Sequence, residues 1–140
     1  MNSAPIANTG SFGTEALALE AVVSRMVDQL DPEYIWLFGS RAEGRSRPDS
    51  DFDLLVVTKR EDGELADDYE YVYGPVLGTG VGCDVLPCPI DDFVRELQNP
   101  NSLVSQILER GVKLYDRRQG RNTDEVGARP SEVRTQSAAG

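Results

Sequence analysis

The chain has 140 residues, with 14 Lys and Arg against 24 Asp and Glu, a formal charge of −10 and a 39% hydrophobic share. That length supports one domain with its own core. Histidine is absent, which excludes Ser-His-Asp triads, Cys-His pairs and His-ligated zinc. Catalysis would have to run on carboxylates, hydroxyls, thiols, backbone amides or a bound metal.

The acidity is uneven. After residue 116 stand five arginines (Arg117, Arg118, Arg121, Arg129, Arg134) and three acids, while the first 116 residues hold 9 basic and 21 acidic side chains. Such a body repels nucleic acid and anionic membranes, because phosphate contacts normally dominate that affinity. Cys83 and Cys88 alone make neither a zinc site nor a disulfide framework. Two reduced thiols suit a cytoplasmic protein. No run of about 20 apolar residues is present to span a membrane, and residues 1–13 lack the pattern of a signal peptide.

Residues 1–13, rich in Ser, Asn, Gly and Pro, read as a flexible N-terminus. Thr14 is placed to cap a helix in which Leu17, Ala21, Val22, Met26, Val27 and Leu30 recur at helical spacing, ending near Asp31-Pro32. The apolar run Tyr34 to Phe38 predicts a buried strand, closed by Gly39-Ser40 and followed by a helical turn over residues 41–44. Residues 45–50 read as a loop and 51–58 as a second strand. The acid-rich stretch 59–70 reads as a solvated loop and helix face, with a helix over 65–76. A glycine turn at 78–80 leads to a third strand over 81–86. Helices follow over 91–97 and 102–110, the latter stopped by Gly111, then a strand over 112–115. Residues 117–140 read as a disordered tail. This is an α/β (α+β) pattern: a small mixed sheet of about four strands packed with helices, over residues 14–116.

The chemistry concentrates between Ile35 and Val57. A strand ends in Gly39-Ser40, ten residues follow, and Asp51 and Asp53 open the next strand. Residues two apart on a strand share a face about 7 Å apart. Two carboxylates at about 5 Å repel by roughly 3 kcal/mol at an effective dielectric near 20. A half-buried sheet rim tolerates this when a cation neutralises it, and carboxylate oxygens suit Mg²⁺ or Mn²⁺. Asp84 lies in the otherwise apolar run Val81 to Leu86, where an unpaired acid is costly. Adjacent strands would bring three carboxylates together, the ligand set of a two-metal phosphoryl-transfer site. Gly39 lets backbone N–H groups approach phosphate, and the Ser40 hydroxyl can donate to it. Arg41, Arg45 and Arg47 read either as steering a triphosphate or as surface solubility. The plain alternatives are a capped turn at Gly39-Ser40, a solvated strand start at Asp51 and Asp53, and an edge acid at Asp84.

Leu37-Phe38-Gly39-Ser40-Arg41-Ala42-Glu43-Gly44, followed by Ser50-Asp51-Phe52-Asp53-Leu54-Leu55-Val56-Val57, closely resembles the minimal nucleotidyltransferase (MNT) domains of the superfamily related to DNA polymerase beta. Residues 102–116 also resemble that family's closing helix and strand. The resemblance implies a mixed α/β sheet that binds ATP and two Mg²⁺ ions. It implies that Asp51, Asp53 and Asp84 bind metal and act in catalysis, and that Asp84 is the base for an acceptor hydroxyl. Gly39, Ser40 and Arg41 would hold the nucleotide. Many MNT proteins pair with a helical HEPN partner as toxin–antitoxin systems, the MNT protein attaching AMP to a tyrosine of the toxin. About 100 residues leave no room for a separate substrate domain, so the expected acceptor is a HEPN-like partner or is presented by a second copy in a homo-oligomer. A small-molecule hydroxyl, as on an aminoglycoside, and an antitoxin acting by binding alone are the alternatives.

Overall fold

The computed structural model describes residues 7–121. Helix α1 (Glu15–Leu30) begins where the Thr14 hydroxyl accepts from the Leu17 N–H, and it ends at Asp31, whose φ of 47° breaks the helical path. Its buried face is Ala18, Leu19, Val22, Val23, Met26 and Leu30. That stripe is rotated from the predicted one: Leu17 is 54% exposed.

Strands β1 (Tyr34–Phe38), β2 (Phe52–Thr58), β3 (Cys83–Pro89), β4 (Val112–Asp116) and the two-residue β5 (Gly120–Arg121) form one sheet in the order β3-β2-β1-β4-β5. The β2–β3 pair is parallel and the other pairs are antiparallel. Four principal strands in a mixed sheet match the predicted class, with β5 as an addition.

Helices cover both faces, which is why β2 is apolar without alternation. On one face α1 and α2 (Tyr69–Tyr73) pack on Ile35, Leu37, Phe52, Leu54, Val56 and Leu114. On the other, Phe93 of α3 (Ile90–Leu97) and Val104 and Ile107 of α4 (Leu103–Arg110) pack on Leu55, Val57 and Cys88. Each large apolar side chain buried this way contributes about 1.5–3 kcal/mol.

Several boundaries moved. The helix predicted over 65–76 is a 3-10 run, Arg60–Asp67, followed by the short α2. The Asp68 carboxylate accepts from the N–H groups of Glu70 and Tyr71, so it starts a new helix and ends the earlier turn. Strand β3 starts later than predicted and runs through both prolines. The Val85 N–H points outward to the Tyr73 hydroxyl, 3.0 Å away. Pro87 and Pro89 share that parity on an edge strand, so their missing N–H groups cost no ladder bond.

Both ends of the described chain are tied down. In the stretch 7–13, expected to be loose, Asn8 bonds Pro48, Ser50 and Gly82. In the stretch expected to be a tail, residues 117–121 turn back. Arg117 pairs with Asp31 and Glu33, and Gly120 and Arg121 pair with β4. Residues 1–6 and 122–140, the rest of these two stretches, lie outside the described residues. Among the described residues no helix is long and apolar enough to cross a membrane.

Candidate active site

The end of β1 and the starts of β2 and β3 meet at one rim of the sheet. The ladder sets Phe38 opposite Asp53, and Asp53 opposite Asp84. Directly paired residues share a face, so Asp53 and Asp84 form a row with Phe38 on the side that carries α3 and α4. One pair further along, the same face is apolar at Leu55 and Leu86. The acids are therefore the polar edge of an apolar surface. Asp51 precedes the first ladder bond, in which the Phe52 N–H donates to Gly82 O. Asp51 and Asp84 are exposed and Asp53 is half-buried.

Electrostatics ties the three together. Burial raises the Asp53 pKa most, and the negative charges of Asp84 and then Asp51 raise it further. Mutual repulsion at a partly desolvated position is the demand a hard cation meets. As the side chains are placed, no group of three or more His, Cys, Asp or Glu among the described residues has closed to metal-binding spacing. The acids are neighbours through the ladder and through charge. The oxygen donors, the raised Asp53 and the bare glycines around them fit a divalent cation. Burial pushes the adjacent Cys83 thiol up to about 12, with Asp51 adding to the rise, and the chain has no imidazole donor.

Glycine is required twice here. Gly39 sits at φ 74°, and a Cβ there would run into the Asp53 carboxylate. A Cβ on Gly82 would stand 2.5 Å from Asp51 Oδ1. Both glycines let backbone approach a carboxylate closely. The sequence places Gly82 within the third strand with no role of its own, and the need for a bare backbone there becomes visible only when β3 is set beside β2.

The turn Gly39–Arg41 is a single 3-10 turn, with Gly39 O accepting from the N–H groups of Ala42 and Glu43. The Ser40 residue is half-buried. Between this turn and α4 lies a cavity of about 130 Å³ bordered by Phe38, Gly39, Glu43, Gln106 and Ile107.

Arg41 departs from both sequence expectations. Its side chain is only 3% exposed. The guanidinium donates to Ser50 O and Pro48 O, pairs with Glu15, and lies 4.1 Å from the centroid of the Phe52 ring. Its donors are spent on the loop that delivers Asp51, so it braces the site from behind. The sequence offered no sign of this, because most of its hydrogen bonds go to main-chain carbonyls. Arg45 is exposed and pairs with Glu43.

The sequence pattern of the family described as "Polymerase beta, Nucleotidyltransferase" matches residues 20–120, and the chain belongs to that family. A curated relative, named as the probable protein adenylyltransferase MntA of Haemophilus influenzae, is 39% identical over 49 residues. That match covers 34% of this chain and 43% of the relative. Two solved structures are similar. One, from Sulfolobus solfataricus and described as a candidate nucleotidyltransferase, is 19% identical and covers 73% of this chain and 93% of its own, at a TM-score of 0.46. The other, a toxin–antitoxin with AMP-PNP, is 16% identical and covers 86% and 89%, at a TM-score of 0.48.

Proposed function

We propose that the chain transfers AMP from ATP to a hydroxyl of a protein acceptor, using Asp51, Asp53 and Asp84 as the site of two Mg²⁺ ions. The observation that carries this is the in-register pairing of Asp53 with Asp84, opposite the close approach of Gly39 to the Asp53 carboxylate. When bound, the ions would supply charge neutralisation and polarise the α-phosphate. The backbone and hydroxyl at Gly39 and Ser40 hold the terminal phosphates and orient the leaving group. Asp84 takes the proton of the acceptor hydroxyl. The freed oxygen forms a bond to the α-phosphorus, the bond from that phosphorus to the bridging oxygen breaks, and pyrophosphate leaves with its electron pair. Positioning and charge complementarity supply most of the acceleration.

A tyrosine on a helical HEPN-like partner is the acceptor we infer, within a toxin–antitoxin pair in which this chain is the antitoxin. Two facts support it. The partial relative is named for transfer to protein. The net charge of the chain disfavours a nucleic-acid acceptor.

The test is incubation with α-labelled ATP and Mg²⁺, with a co-expressed HEPN-like partner in one arm and aminoglycosides in the other. Label on the partner's tyrosine, abolished by Asp51→Asn or Asp84→Asn in folded protein, is expected. Normal transfer by the double variant would refute the catalytic assignment. Label only on an aminoglycoside would replace the acceptor. Neutralisation of the partner without any transfer would make the chain a binding antitoxin.

A further inference from the structure

We propose that Asn8 is a positioning residue for the acid cluster, setting the gap between the chain segments that carry Asp51 and Asp84. Its Nδ2 donates to Ser50 O at 2.9 Å and to Gly82 O at 2.8 Å, and its Oδ1 accepts from the Gly82 N–H. Its backbone N–H donates to Pro48 O at 2.7 Å. One amide thus joins the loop entering β2 to the loop entering β3.

The placement is specific to the acids. Ser50 is the residue before Asp51, and Gly82 lies two before Asp84. On the other side of Asp51, the Phe52 N–H is held by Gly82 O at 3.0 Å. Both peptides flanking Asp51 are therefore pinned, one by Asn8 with Arg41 and one by the ladder. Gly82 is bare where these groups crowd it, since a Cβ there would stand 2.5 Å from Asp51 Oδ1 and 3.3 Å from Asn8 Oδ1. Gly10, at φ 56°, lies so close to Thr79 O that a Cβ would collide with it, which seats the strap against the turn before β3. The sheet does not need Asn8, because the β2–β3 ladder is already closed by its own bonds. What Asn8 adds is a fixed distance across the mouth of that ladder. Groups outside the immediate ligand set commonly govern metal affinity in this way.

The inference rests on the active-site reading above, so the experiment separates the two. Full-length wild type, Asn8→Ala and Asn8→Ser would be titrated with Mn²⁺ at fixed ATP analogue, reading nucleotide uptake by calorimetry. Melting temperature and hydrogen exchange of the Gly82 amide would be followed in parallel. We expect both variants to be folded at the titration temperature and to exchange the Gly82 amide faster. The Mn²⁺ concentration for half-maximal uptake should rise about 10- to 100-fold. An unchanged midpoint in either folded variant, whatever its melting temperature, overturns the proposal and leaves Asn8 a stabilising strap only. Absence of Mn²⁺-dependent uptake by the wild type removes the active-site reading and this inference with it.

Discussion

Replacing Asp53 by Asn should stabilise the protein while disabling the site. Asp53 is half-buried, directly paired with Asp84 and followed in influence by Asp51, and its pKa is raised by burial first and by those charges next. Strands pair about 4.8 Å apart. Carboxylates at about 5 Å repel by roughly 3 kcal/mol at an effective dielectric near 20 and by roughly 0.8 kcal/mol in water. Since Asp84 is exposed and Asp53 only half-buried, screening brings the cost to about 1 kcal/mol. For a chain of this size that corresponds to a rise of about 4 °C in melting temperature. A raised carboxylate pKa means the folded state holds its proton more tightly than the unfolded chain does. The stability this gives is present in acid and is lost as pH rises from the ordinary 3.8 through the folded value. The advantage of the Asp53→Asn variant is therefore full at pH 7 in chelator, shrinks toward pH 4 and weakens with added salt. Saturating Mg²⁺ should raise the wild-type melting temperature and leave the variant nearly unmoved. Thermal melts across pH, with chelator or Mg²⁺, measure all of this. A variant that melts at or below wild type in chelator at pH 7 would refute the reasoning.

Two further outcomes follow from the packing. Arg41→Met should lower the unfolding free energy by about 2 kcal/mol, because it strips hydrogen bonds from Ser50 and Pro48 and the cation–π contact with Phe52. The half-exposed Glu15 is simply rehydrated, and urea denaturation within about 0.5 kcal/mol of wild type would contradict the bracing role. Burial holds the thiols of Cys83 and Cys88 at about 12 and about 11. At pH 8 only about one in ten thousand and one in a thousand molecules carry the thiolate. A disulfide reagent should therefore label the native chain far more slowly than the chain unfolded in guanidinium, and equal rates would overturn that assignment.

Much of the site was legible because its chemistry is local. The glycine that a strand must turn on, the Ser after it, and two acids one residue apart ahead of Leu54 to Val57 are short-range signals. The helix cap at Thr14 was readable for the same reason: its hydroxyl accepts from an N–H three residues on. Where a side chain answered to a distant partner, local pattern misled. Leu17 fits a helical stripe, yet the sheet meets α1 on a face that leaves it out. Asp68 looked like one acid in a solvated run, but its carboxylate interrupts the helix expected there.

The amino-acid sequence by itself determined the family and most of the order of strands and helices, and it singled out the three acids as candidates, since these depend on residue type and on spacing within one or two elements. Tertiary structure alone decided that β3 lies parallel to β2 in the register that sets Asp84 against Asp53. It alone turned Arg41 inward and drew Asn8 across to Ser50 and Gly82. Those choices are made between segments up to 74 residues apart. Carbonyls and glycines are the partners there, and a carbonyl is the same on every residue, so no side-chain pattern announces which one a distant donor will reach.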